Sequence, residues 1–326
     1  MNIATRVAHR PLATDTWDAE DLQPNGPHAG TYATSEVDGH GRARAIVERV
    51  RVGATLEERA TEKAYLPTGE VGAIVRRVRN NASAPVVRRW VRYDTLGRMT
   101  ANGDANTSAG FVETQPWFLP PGGTLRVWRY AYDDAGQLVG TSDARGCGVN
   151  FQYDAAGRVR TEDHSPCTAE HAAYTPPTPG TCAGYEVCTR YDSADADAST
   201  VRDALGRGLR PVGSYAGRVA SVTDKAQKTV LAYDGRGRVT GRLKRVALVD
   251  PTNPSQPRGL APRAYLQEIA YDEANRVVSE TTGVTSTGLQ GAGGTSTVTS
   301  VWDKRGAVAA VTSSYGDLVS KVTRDA

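Results

Sequence analysis

Short runs in which apolar side chains tend to fall on alternate positions recur along this chain; Val86–Arg92, Leu125–Tyr130 and Thr297–Val301 are the clearest. A two-residue period belongs to a strand with one face packed and one face wet. Between the runs stand Gly, Pro, Asn and Asp, which turn a backbone. No apolar run approaches the roughly 18 residues of a membrane-crossing helix. The pattern predicts an all-β chain of short strands and frequent turns.

The turns themselves repeat. Tyr93-Asp94-Thr95-Leu96-Gly97-Arg98-Met99, Tyr132-Asp133-Asp134-Ala135-Gly136-Gln137-Leu138 and Tyr153-Asp154-Ala155-Ala156-Gly157-Arg158-Val159 share one pattern. Tyr233-Asp234-Gly235-Arg236-Gly237-Arg238-Val239 and Tyr271-Asp272-Glu273-Ala274-Asn275-Arg276-Val277 continue it. Trp302–Val308 is a degenerate copy. Asp38–Arg42, Asp143–Gly146 and Asp203–Arg207 keep Asp and Gly without the aromatic, and Tyr191-Asp192 keeps only the opening pair. Successive aromatic-Asp pairs lie 39, 21, 38, 42, 38 and 31 residues apart, so a unit of about twenty residues recurs, often doubled.

Each copy has a physical reading. Asp at the first corner of a turn accepts hydrogen bonds from amides further on. Gly three positions later takes the left-handed backbone and closes a hairpin with a bulge. Asn275 replaces that Gly once, and Asn is the next most tolerant residue there. The preceding Tyr and the following Arg then end the two flanking strands, where ring and guanidinium are expected to meet across the pair. Gly157→Val is accordingly expected to cost about 1 kcal/mol or more, above the same change at Gly180, which reads as loop.

Iterated in this way, the motif resembles the YD repeat of the Rhs family, shared with bacterial toxin-complex proteins and animal teneurins. The resemblance runs from about Val37 to the C-terminus, with residues 1–36 as a lead-in. It implies repeated β-hairpins forming a curved, spiralling sheet, part of a hollow β-shell. In bacterial members such a shell encloses a toxic C-terminal polypeptide until delivery. Two departures stand out. The Asp-Pro and Gly motif that usually follows the shell, linked to self-cleavage, has no counterpart; Asp250-Pro251 is followed by Thr252-Asn253. The end, Val322–Ala326, matches Val201–Ala204 and stops before a Leu-Gly-Arg, so the chain reads as a truncated piece of a longer polypeptide.

Composition fits a thin wall. Val, Leu, Ile and Phe make up 58 of 326 residues, with Val twice as frequent as Leu. That fraction borders on disorder, but 39 basic residues nearly balance 36 acidic ones, and disorder wants a large net charge. Val over Leu favours a pleated surface and excludes a helix bundle. The interspersed charges do not imply nucleic acid.

Three stretches break the rhythm and read as loops: 101–123 with Trp117-Phe118, 165–184, and 249–262. Gly288–Ser296 reads as a flexible tract. Cys147, Cys167, Cys182 and Cys188 cluster around the second loop. Their even number suggests two disulfides; free thiols, or zinc held with His164 and His171, are alternatives. Arg76-Arg77-Val78-Arg79 and Arg88-Arg89-Trp90-Val91-Arg92 form a basic hairpin. It reads either as a groove for polyanions or, preferably, as a solvated face whose arginines pair with acids on neighbouring strands. Catalytic patterns are wanting: Gly213-Ser214-Tyr215-Ala216-Gly217 has its serine one place too early for a nucleophile elbow.

The expectation is a non-enzymatic shell segment without cofactor or metal. Its partners would be the remainder of the same polypeptide and an enclosed C-terminal cargo such as a toxin domain. The alternative is a cell-surface adhesion repeat that binds carbohydrate or surface proteins through its aromatic loops. Neither needs nucleic acid. Met1–Arg10 is polar and reads as no signal peptide, so export or surface display would come as part of a larger protein.

Overall fold

The structure is a computed structural model that describes residues 5–104, 127–167, 177–179, 181–211, 213–249, 252, 257–284, 286–291 and 294–322. It is almost entirely β, an antiparallel sheet of 22 strands that does not close. The chain divides into two compact units, 1–150 with 165–174 and 151–164 with 175–326.

The first unit is a meander: β1 (Arg6–Arg10), β2 (Ala13–Trp17), β3 (Ala33–Val37), β4 (Ala43–Val52), β5 (Thr55–Tyr65), β6 (Val71–Val78), β7 (Val87–Tyr93), β8 (Met99–Asp104), β9 (Trp128–Tyr132) and β10 (Leu138–Ser142) pair in chain order. β10 then pairs with the start of β11 (Gly148–Tyr153). Residues 1–36, read above as a lead-in, therefore carry three strands of the sheet. Their first turn, Pro11-Leu12, lacks the Asp-Gly signature and instead holds Leu12 at φ 59°.

The second unit continues with β12 (Val159–Ser165), β13 (Val187–Tyr191), a single helical turn α1 (Asp197–Thr200), β14 (Val219–Asp224), β15 (Gln227–Tyr233) and β16 (Val239–Val249). β17 (Pro257–Leu260), β18 (Tyr265–Tyr271), β19 (Val277–Thr281), β20 (Thr297–Trp302), β21 (Val308–Ser313) and β22 (Gly316–Val319) complete it. β16 is long enough to pair twice on one edge, with β18 through Gly241–Lys244 and with β17 through Ala247–Val249. The insertions are accordingly shorter than read: 101–104 belong to β8, Ser165 ends β12, and β17 lies within 249–262.

Strands alternate in direction, so in each unit the connections alternate between two rims. One rim carries the Asp-Gly turns at 94–98 and 133–137, or 154–158, 234–238, 272–276 and 303–307. β8, β12, β16 and β19 end at the other. The best-formed core is in the second unit, where Ala198, Leu209, Val230, Ala232, Leu243, Ala264 and Leu266 pack together. In the first unit small buried side chains include Ala45, opposite Glu36 and Glu62, and Ala60, opposite Val47 and Arg77.

Candidate functional site

The repeat turn has one design. Asp94 N–H donates to the Arg98 carbonyl (2.9 Å) and Gly97 N–H to the Asp94 carbonyl (3.1 Å). One Asp94 carboxylate oxygen accepts from the Leu96 and Arg98 amides, each at 2.9 Å, and the other from Arg98 Nε at 2.7 Å. The Arg98 amide and guanidinium thus hold the Asp94 carboxyl below its ordinary range. Asp154, Asp234 and Asp272 grip Arg158, Arg238 and Arg276 in the same way, and so do the copies without an aromatic, at Asp38 and Asp203.

Gly157 sits at φ 76° and Asn275 at φ 64°, the left-handed corner expected of the repeat. A β-carbon on Gly157 would touch nothing within 4 Å, so a substitution there reports backbone strain alone. Gly157→Val is expected to cost about 1–2 kcal/mol. Gly180 lies outside the described residues. The fitting comparison is Gly235, exposed, equally open and not left-handed, where valine should cost under about 0.5 kcal/mol. Equal shifts of the urea midpoint for the two variants would refute this assignment of the turn.

Tyrosine and arginine do meet, but not within one hairpin. Tyr93 is paired with Met99, which leaves Arg98 inside the turn, tied to its own Asp94. Its guanidinium lies instead over the ring of Tyr132 in the next hairpin (4.7 Å), and Tyr132 Oη donates to the carbonyl of Met99 (3.0 Å). The same rung links Arg158 and Val159 to Tyr191, Arg238 and Val239 to Tyr271, and Arg276 and Val277 to Trp302. Arg238 also donates to the carbonyl of the next aspartate, Asp272, at 3.0 Å. Each arginine therefore neutralises one turn and docks the following one.

Two rungs escaped the sequence reading. Tyr65-Leu66-Pro67-Thr68-Gly69-Glu70-Val71 turns like the others, with Leu66 N–H on the Glu70 carbonyl (2.8 Å), although Leu replaces Asp and Glu replaces Arg. Tyr65 lies under Arg42 at 4.3 Å and donates to the Ala43 carbonyl. Tyr191-Asp192 is no remnant either. It is completed by Gly217-Arg218-Val219: Asp192 N–H reaches the Arg218 carbonyl (3.1 Å), Gly217 N–H reaches the Asp192 carboxylate (2.7 Å), and Tyr191 pairs with Val219. Arg158 and the Gly217 amide draw the Asp192 carboxyl down to about 2.

Residues 193–211 and 213–216, inserted into that turn, form a strap across the face of β14, β15, β16 and β18. Asp195, buried, accepts from Lys228 Nζ and Ser221 Oγ, both at 2.7 Å. Asp197 on α1 takes Arg245 at 2.9 Å and Lys228 at 3.2 Å. Asp203 bridges to Ala264, Leu209 enters the core, and Gly213 N–H reaches the Tyr233 carbonyl at 2.7 Å. A β-carbon on Gly213 would lie 2.1 Å from the Asp234 carbonyl oxygen, so only glycine lets the strap come this close. Ser214, the misplaced elbow serine, is part of this strap. Beside it, Leu209, Arg210, Thr240, Glu268 and Ser279 help line a cleft of about 340 Å³.

Cys147 is joined to Cys167 and Cys182 to Cys188. His171, Trp117 and Phe118 lie outside the described residues. Among those described, no group of three or more His, Cys, Asp or Glu side chains is placed to hold a metal. Among the described residues no helix is long and apolar enough to cross a membrane. The basic hairpin divides by face. Arg77 and Arg79 grip Glu62, and Arg79 also reaches Glu36 at 2.6 Å. Arg89 on the other face takes Asp104 at 2.6 Å.

No family model matches the chain, and no curated protein does. Solved structures do. The complex of TcdB2-TccC3 with Cdc42 matches with a TM-score of 0.62 at 15% identity, over 95% of this chain and 13% of that one. TcdB2-TccC3 gives the same figures. A Photorhabdus luminescens Tc holotoxin pore matches with a TM-score of 0.62 at 13% identity and the same coverage. The chain spans only 13% of the length of those chains. The likeness is one of fold: the chain has the YD-repeat fold of the Tc toxin TcdB2-TccC3 complexes.

Proposed function

We propose that this chain is a wall segment of an Rhs-type shell that encloses or presents a polypeptide cargo such as a toxin domain. The observation that carries the reading is the ladder. Arginine from one hairpin and the aromatic ring of the next join successive turns, so a ribbon of hairpins is fixed edge to edge with little hydrophobic core. The shared fold with toxin-complex chains supports it. In this role the chain performs no chemistry. It works outside the cell or at its surface as part of a larger protein, with the rest of that polypeptide as its partner.

Limited proteolysis of the full-length product of the gene tests this. A cargo segment of that product should stay intact while the sheet is folded, and digest once the sheet is melted. A cargo segment that is cut as fast in the native protein as in the melted one would overturn the reading.

A further inference from the structure

We infer that the tyrosine-bearing face of β4–β7 docks an acidic stretch of the enclosed polypeptide, an inference that rests on the proposed enclosure. The register sets two rows across the strands. Lys63 lies opposite Ile74 and Ile74 opposite Arg89; beside them Thr61 lies opposite Arg76 and Arg76 opposite Val87. Strand alternation puts Arg44 on this same face, next to Lys63. All four cations are exposed.

The two faces differ in how their charges are met. On the opposite face Glu62 and Glu36 answer Arg77 and Arg79. On this face Glu57 takes Arg59 and Asp104 takes Arg89, whereas Arg44, Lys63 and Arg76 make no ion pair among the described residues. Like charges on adjacent strands repel and cost stability, so the arrangement calls for an anionic partner.

The apolar neighbours narrow the partner's class. Ile46 and Val87 are about half exposed, and Ile74, Arg76, Val87, Arg89 and Asp104 surround a recess of about 180 Å³. Aliphatic side chains interleaved with cations match a polypeptide that carries acidic and apolar residues. Nucleic acid and sugar rings are held on open aromatic platforms, whereas the tyrosines of this face are engaged at its rim, Tyr65 under Arg42 and Tyr93 on the Val71 carbonyl.

The test is fluorescence anisotropy with the full 326-residue chain and a labelled dodecapeptide alternating Glu with Leu. Binding should weaken with salt, and the Lys63→Glu/Arg76→Glu double variant should bind at least about tenfold more weakly with an unchanged thermal melt. Neither residue belongs to the ladder, and if the double variant melts early, Lys63→Gln alone should still weaken binding. Undiminished binding by a folded variant overturns the inference. Tighter, Lys63- and Arg76-dependent binding of heparin or oligo-dT also overturns it, assigning the face to polysaccharide or nucleic acid. The two readings fail separately: peptide binding with a freely digested cargo segment sinks enclosure, whereas a protected cargo segment with no peptide binding sinks only the docking face.

Discussion

Replacing Tyr233 with alanine should destabilise the second unit by about 3–4 kcal/mol, and replacing it with phenylalanine by about 1 kcal/mol. Tyr233 is the most buried ring of the ladder, 6% exposed, and meets Tyr215 edge to face with centroids 5.5 Å apart. Its hydroxyl donates to the Val219 carbonyl at 2.8 Å, and the Arg218 guanidinium stands 5.8 Å from its ring. Alanine removes the packing, the hydrogen bond and the cation contact together. Phenylalanine removes only the hydrogen bond. Urea melts of the two variants, followed by far-ultraviolet circular dichroism, separate these contributions. Equal losses would mean that the ring packing contributes nothing, and an alanine loss below about 1 kcal/mol would remove the ladder as the source of stability.

Lys228→Met should cost about 3 kcal/mol and free the strap. Among the described residues Lys228 Nζ is the only cation paired with Asp195, whose side chain is 3% exposed. Without it the carboxylate is left with the Ser221 hydroxyl and the Asp197 amide. An uncompensated buried charge is far more costly than a missing surface pair. Trypsin should then cut the strap at Arg202 or Arg207 well before the sheet unfolds. Adding Asp195→Asn should restore part of the loss, because the carboxylate no longer needs a cation. Strap cleavage as slow as in the unaltered chain would contradict the role given to Lys228.

Acid should act on the same anchor. Burial pushes the Asp195 carboxyl up, but hydrogen bonds from Lys228, Ser221 and the Asp197 amide together hold it below its ordinary value. A carboxyl depressed in the folded state contributes fully above its unfolded value, near about 4, and loses that contribution as pH falls through the folded value. The strap should loosen only in strong acid.

The turns were legible in the sequence because their chemistry is local. Asp94, Gly97 and Arg98 act within five residues, and Asn275 could be recognised as a glycine substitute from backbone preference alone. The ladder was not legible, because nothing in Tyr93–Met99 says which hairpin an arginine will face; that depends on the stagger between Tyr93 and Met99. The split repeat was missed because 24 residues separate Asp192 from Gly217. Its closing half, Gly217-Arg218-Val219, was nevertheless visible, and matching half-motifs would have found it. The Tyr65 turn was hidden by Leu66, which makes the backbone bonds of the turn but lacks the carboxylate that marks the others. The basic hairpin was read correctly as arginines divided between faces, but the acids turned out to favour one side.

The ladder makes this sheet behave as a one-dimensional chain of coupled switches. Each hairpin that follows an arginine-bearing turn borrows part of its stability from that guanidinium, so order spreads along the ribbon and so does melting. Glu70 occupies an arginine position without a guanidinium, and one of its side-chain oxygens is buried with no hydrogen-bond partner. Propagation within the first unit is weakly coupled there, and a defect introduced on one side of that residue has little leverage on the other.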